Sequence, residues 1–319
     1  MRINYFSLIL FLATLPSQAL IGRASNSFLG YGSVFDFASR PEEMPNHLTT
    51  DEIKNSCEEA SKFSFDNRLR QLSHQLMSSD QTNDSFELGI QKAEVLLACK
   101  DPSNAQKVLQ GLNPFLGSQT KRWAILFWQA SKGVIDHEGA SLALRKLSEG
   151  DLRKLDQEWI TVGYSSDGSE LRRLALDLLA EHERLSGNCH ASAQVLLAGR
   201  KSGALGARRI SRAIQCLEGL GIKQKNVLLS SALAQAEADK AWWLVSDVLK
   251  LKLLLELAAN EDAQTVRNRL ELFAKELDDR YTQLEVIRSD SEREEEKRLL
   301  ENQLRSPREA NPDVQEMPL

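Results

Sequence analysis

Apolar residues recur three and four positions apart along most of this chain, the spacing that lines one face of an α-helix. Leu69, Leu72 and Leu76 mark such a face within Phe65 to Met77, and Leu88, Ala93, Leu96 and Leu97 mark another within Phe86 to Ala98. Thr49-Thr50-Asp51-Glu52 is a capping box that opens a helix ahead of them. Asp101-Pro102 opens the helix that follows, Asp as cap and Pro in the first turn, and Asn113-Pro114 closes it. The polar stretch Ser78 to Asp84 is a loop. Beyond it the pattern predicts helices over Lys121 to Ser131, His137 to Leu147 and Leu152 to Gly163. Ser169 then caps a long helix through Leu185, with Leu171, Leu174, Leu178, Leu179 and Leu185 as its stripe. Ala191 to Arg200, Ala207 to Leu217 and Lys225 to Ala236 complete the series, and no segment reads as a strand.

The last third carries two further signals. Asp239 to Ala259 is dense in Trp, Leu and Val but interrupted by Asp247, Lys250, Lys252 and Glu256, charges costly in a bilayer. It reads as a helix packed on two sides. From 263 to 304 a long C-terminal helix is expected, with Leu270, Phe273, Leu277, Tyr281, Leu284 and Ile287 at helical spacing. Its end, Ser291 to Arg298, is solvated and held by pairs such as Glu294 with Arg298. Residues 305–319, with Pro307, Pro312 and Pro318, read as a disordered tail, and 20–48 as an irregular lead-in. The helical-repeat domain spans 49–262.

The first nineteen residues follow different rules. Arg2 precedes the apolar run Tyr5 to Leu15, Pro16 breaks it, and Ser17-Gln18-Ala19 supplies the small-x-small pattern of a cleavage site. The run is short of the ~20 apolar residues a membrane span needs. Residues 1–19 are therefore expected to be a signal peptide, cut after Ala19. That places the mature chain in a periplasm or thylakoid-type lumen in a bacterium, or outside the cell in another host.

Composition sharpens the class. Hydrophobic residues make up 42% of the chain, too many for a disordered protein, and aromatics only 6%, which suits Leu/Ala helix packing. The net charge of -5 argues against nucleic-acid binding. Cys57, Cys99, Cys189 and Cys216 form an even set that permits two disulfides in an oxidising compartment. Three pairings are open; neighbours along the chain, Cys57 with Cys99 and Cys189 with Cys216, are the simplest, and buried free thiols are the alternative.

Two helix pairs can be superposed. Ala140 lies 35 residues after Ala105, and Leu109 and Leu112 after the first match Leu144 and Leu147 after the second. This resembles a degenerate tetratricopeptide repeat, whose period is about 34 residues. The motif-level likeness covers Phe86 to Glu149. Ala93 meets the family's small residue in the first helix, whereas Trp128 stands at that place in the next unit. Further on, Ala193 follows Ala140 after an insertion of about one helix, and Ala263 lies two periods past Ala193, but Leu228, not a small residue, stands at the midpoint. The resemblance implies an all-α, right-handed superhelical array of antiparallel hairpins whose concave face holds a protein or peptide. A generic α-solenoid or an irregular helical domain also accounts for the helical content.

Candidate chemistry is sparse. His182-Glu183 opens like a zinc HExxH motif, but Ser186 stands where the second His is required. His182, Cys189 and His190 are close enough in sequence to meet at a metal, against the plainer reading of a polar helix turn. No nucleophile elbow, phosphate loop or dinucleotide fingerprint is present, and no cofactor is expected. A basic cluster, Arg200, Lys201, Arg208, Arg209, Arg212, Lys223 and Lys225, is opposed only by Glu218 and offers a patch for an acidic partner or peripheral membrane contact; solvated side chains are the alternative. These observations predict an exported, non-enzymatic scaffold that binds a protein or peptide. An assembly factor for a membrane complex, or an accessory to a cell-envelope enzyme, is the competing reading.

Overall fold

The computed structural model describes residues 48–78, 85–114, 117–288 and 290–305. The expected signal peptide, nearly all of the lead-in and all of the tail but Arg305 lie outside these residues. Fourteen α-helices account for most of the described chain. They are α1 (Thr50–Lys62), α2 (Asp66–Ser78), α3 (Phe86–Ala98), α4 (Pro102–Gln110), α5 (Ser118–Gly133), α6 (His137–Leu147) and α7 (Ala175–Leu185). After them come α8 (Cys189–Ala198), α9 (Gly203–Gln215), α10 (Ile222–Ala238), α11 (Trp242–Ala258), α12 (Gln264–Glu276), α13 (Arg280–Ile287) and α14 (Glu294–Arg305). Each helix packs chiefly on its neighbours in sequence, and α1 also packs on α3, α3 on α5, and α9 on α11.

The helices are separated by one recurring device. At seven junctions a single residue takes the left-handed conformation: Ser64, Lys100, Ile135, Gly187, Lys240, Asn260 and Asp278. In each, the next backbone N–H reaches back to the carbonyl five residues earlier. Asp101 N donates to Leu96 O (2.9 Å), Asp136 N to Ser131 O (2.8 Å), Asn188 N to Glu183 O (2.8 Å) and Asp279 N to Ala274 O (2.8 Å). This Schellman bond satisfies an orphan carbonyl at the helix end and reverses the chain. Asp101, Asp136 and Asp279 then cap the next helix, accepting from the N–H groups of Asn104, Gly139 and Thr282. The first two caps also tie to the preceding hairpin: the Ser73 hydroxyl of α2 donates to Asp101, and Gln106 Nε2 of α4 donates to Asp136 Oδ2 (2.6 Å).

The junctions give the helices after them a common count. Ala105 and Ala140 sit four residues past their donor, and the residue at that place in α8 is Ser192, not Ala193. Ser192 is small and buried, and its hydroxyl donates to Ala180 O (2.6 Å). Ala263 is the N-cap of α12 and has no such place.

One expected helix is absent, and another begins later than its expected cap at Ser169. In place of a helix over Leu152 to Gly163 the chain forms a 3-10 turn at Leu152–Asp156 and strand β1 (Trp159–Tyr164). In place of a helix from Ser169, it forms strand β2 (Glu170–Leu174) and turns directly into α7. The strands pair antiparallel, Trp159 with Leu174 and Tyr164 with Glu170, with a bulge between Thr161 and Gly163. Trp-Ile-Thr-Val favours an extended chain, and Asp167-Gly168, with Gly168 at φ 84°, makes the reversal. Leu171 belonged to the expected helical stripe; on β2 it is 48% exposed.

The single long C-terminal helix is also replaced, by α12, α13 and α14. Asp278 at φ 52° ends the first, and a short 3-10 turn at Ser291–Arg293 precedes the last. The junction has almost the length of one helical turn, so the apolar spacing reads straight through it. The expected Glu294–Arg298 pair gives way to Lys297 with Glu294 (3.0 Å) and Arg293 with Glu271 (2.7 Å), which fastens α14 to α12.

Burial follows the interdigitated Leu and Ala positions. Ile214, Leu229, Leu233, Leu244, Val248, Leu249, Leu270 and Val286 join α9 through α13 in one core. Helix α11 sits within it, on α10 and α12, and no described helix is long and apolar enough to cross a membrane. Burying one such Leu contributes about 1.5–3 kcal/mol.

Candidate functional site

Three alternate helices each turn one stripe toward a common side. On α7 the stripe is Asp177, Ala180, Glu181 and Arg184; on α9 it is Arg208, Ser211, Arg212 and Gln215; on α11 it is Trp243, Asp247, Lys250 and Leu254. Steps of three and four residues keep each set on one helix face. They line two adjoining hollows of about 380 and 460 Å³ that share Arg212 and Gln215, and so form one groove across α7, α9 and α11. Its α11 wall exposes apolar surface at both ends of the stripe: Trp243 is 53% exposed and Leu254 65%. The Arg208 guanidinium lies over the Trp243 ring, 4.9 Å from its centroid.

The floor beneath α7 and α9 is an ionic clamp. Arg209 is only 2% exposed and donates from Nε and Nη2 to both oxygens of Asp177 (2.7 and 3.0 Å), and from Nη1 to Asp156 Oδ1 (2.6 Å). Asp156 Oδ2 also accepts from the backbone N–H of Arg200 (2.9 Å) and Lys201 (3.3 Å). Burial pushes the Asp156 carboxyl up, but the Arg209 guanidinium and these two N–H groups outweigh it and hold it below the usual range. Arg209 and Asp156 together thus fasten the 3-10 turn, α7, the α8–α9 connection and α9. The chain passes so close at Gly199 that an added Cβ would meet Arg209 Nη1 at 2.4 Å.

The basic cluster of the sequence is therefore not one patch. Arg208 and Arg212 line the groove, whereas Arg209, between them, is buried beneath it and is consumed by the clamp. Arg200 and Lys201 belong to the α8–α9 connection, with Lys201 Nζ 5.3 Å from the Trp159 ring centroid. Lys223 and Lys225 stand on the first turn of α10, outside the groove lining. Arg184, Trp243, Asp247, Lys250 and Leu254 were missed as site residues. Their signal was the four-three-four spacing from Trp243 to Leu254 on a helix whose buried face is Leu244, Val245, Val248 and Leu249.

The cysteines are joined as Cys57–Cys99 and Cys189–Cys216, with Cα separations of 4.7 and 5.0 Å. The first links α1 to the end of α3 and the second the start of α8 to the end of α9. The metal reading of His182, Cys189 and His190 does not fit this arrangement. The Cys189 sulfur is bonded to Cys216, and His182 Nε2 accepts from the buried Trp128 Nε1 (3.0 Å). His190 pairs instead with Gln194 (3.1 Å). No group of three or more metal-ligating side chains occurs among the described residues. Glu183, the other half of the failed zinc motif, accepts from Arg145 of α6 (2.7 Å). Because His182 Nε2 is an acceptor, its neutral ring carries the proton on Nδ1, which faces His137 Nδ1 at 3.1 Å. Burial, then the charge of His137, pushes His182 down to about 4.

Compared with family models, with curated proteins and with solved structures, the chain gives no match, so its site is described by its own geometry alone.

Proposed function

We propose that this chain is an exported, non-enzymatic helical-repeat protein, a tetratricopeptide-like array that holds a segment of another protein in the groove across α7, α9 and α11. The carrying observation is the convergence of three helical stripes, from alternate helices, on two adjoining hollows that share Arg212 and Gln215, with an exposed Trp and Leu at the wall of one. Stacked hairpins bury their apolar faces against one another and leave such a surface between alternate helices. The recurring Schellman junction supports the repeat reading, and the two disulfides support an oxidising compartment such as a periplasm or lumen. A membrane-complex assembly factor acting through the basic cluster has less support, since that cluster is divided among three places.

A photo-crosslinking amino acid placed at Gln215 in the groove, and separately at Val227 on the exposed side of α10, tests this. Irradiation in the native host is expected to give a discrete adduct from position 215 and none from 227. Equal labelling from both positions, or none from 215, would remove the groove as the binding surface.

A further inference from the structure

The charge left over in the groove specifies its occupant. Asp177 is engaged by Arg209, Glu181 by Arg173, and Lys250 by Glu285 (3.2 Å). Arg184, Arg208 and Arg212 have no ion-pair partner and no hydrogen-bond acceptor among the described residues, and Asp247 is the one lining carboxylate likewise unpaired. The single Arg209 guanidinium serves both Asp156 and Asp177, so the uncompensated balance is three cations against two anions, Asp247 and one carboxylate charge of the clamp, a cationic excess on a protein whose net charge is -5. A guanidinium presents a planar fork of donors that matches a carboxylate. Arg208 has its face against Trp243 while its N–H donors stay open. Next to them, Trp243 and Leu254 expose apolar surface with no cover.

We infer that the groove takes an acidic, amphipathic polypeptide segment, its carboxylates against Arg184 and Arg212 and an apolar side chain against Trp243 and Leu254. This rests on the groove being the binding surface, as proposed above. The cations lie within a hollow between helices, not on an open convex face, which suits side chains entering from a peptide better than a planar headgroup surface.

The test is selection of a random-sequence peptide display library on the disulfide-bonded full-length protein, followed by titration of one selected peptide. Enriched sequences are expected to combine Asp or Glu with Leu, Ile, Phe or Trp. The R184E/R212E variant should weaken the selected peptide at least about tenfold, W243A about fivefold, and replacement of the peptide's Glu by Gln by a similar factor. K223E, outside the groove, should leave binding unchanged. These positions are exposed, so circular dichroism of each variant should match the parent. Enrichment of neutral or basic sequences that remain sensitive to W243A would overturn the acidic occupant while leaving the binding groove in place. Acidic peptides indifferent to R184E/R212E would overturn it too. No enrichment, with binding instead to vesicles of phosphatidylcholine and phosphatidylglycerol that R184E/R212E abolishes, would replace the polypeptide with a lipid surface. No enrichment and no vesicle binding would remove both the occupant and the groove reading.

Discussion

Arg208, Arg209 and Arg212 differ in fate because a helix turns about 100° per residue. Two of them reach the groove, and the residue between them is turned into the interior beneath it, where Asp156 and Asp177 hold it. The sequence shows three arginines on a helix but not which side faces inward, since Asp156 belongs to an insertion whose position only the fold defines. His182 was equally hidden: a polar residue in an apolar stripe, yet its acceptor nitrogen completes the buried indole of Trp128. The burial of His182, with the charge of His137 beside it, makes stability depend on pH in a defined window. The folded state holds His182 neutral with a pKa of about 4, against 6.5 for the free side chain. The unfolded chain therefore binds the extra proton first, and stability is complete above pH ~6.5 and falls as pH drops toward 4. The loss is on the order of 3 kcal/mol by the lower limit. Carboxylates held low, such as Glu271 at about 2 through Arg293, act in a separate window that starts at their free value of 4.5. Urea unfolding between pH 7 and 4.5 should show the midpoint falling in the parent and a nearly level midpoint in H182Q, whose amide oxygen still accepts from Trp128. Parallel curves for the two proteins would refute the assignment.

At the scale of elements, what was legible was the helices whose stripe faces a neighbour, from α1 through α6 and again from α8 through α11. What was not legible was the reversal between α12 and α13, where Asp278 and not Gly takes the left-handed position. Lys100 and Ile135 are no more explicit, but Asp101-Pro102 and the start of a new apolar face at His137 marked those junctions, whereas the apolar spacing runs unbroken across Asp278. The β-hairpin was lost for a related reason: Leu171 and Leu174 fit a helical stripe that continues into α7. Ile135 shows what such a junction costs. A β-branched residue at φ 62° is strained by about 1–2 kcal/mol, and with the side chain 76% exposed little burial offsets it. Replacing Ile135 with Gly is expected to raise stability by about 0.5–1 kcal/mol after the greater freedom of the unfolded chain is counted. Gly187→Ala, at the equivalent place with open space around it, should lower stability by about 1 kcal/mol through backbone strain alone. Thermal melts of the two variants moving in opposite directions would establish the shared geometry; movement in the same direction would deny it.

Among the described residues, the main packing joins elements near in sequence, so each helix is held chiefly by the ones beside it in the chain. The two disulfides act on this arrangement in separate places. Cys57–Cys99 closes a loop of 42 residues around α1 to α3, and Cys189–Cys216 one of 27 around α8 and α9. By loop entropy these contribute about 4 and about 3.5 kcal/mol. In a globule with one core, either loss would weaken every element alike. In a chain of neighbour contacts the effect stays close to the missing bond. The C57S/C99S variant is therefore expected to exchange backbone amide hydrogens faster in α1 to α4, with protection in α10 to α13 kept. The C189S/C216S variant should instead loosen α8 and α9, and with them the middle of the groove, so that the selected acidic peptide binds more weakly to it than to C57S/C99S. Uniform loss of protection along the chain in either variant would show that the helices unfold as one cooperative block, and that the groove's stability is not set locally by the α8–α9 bridge.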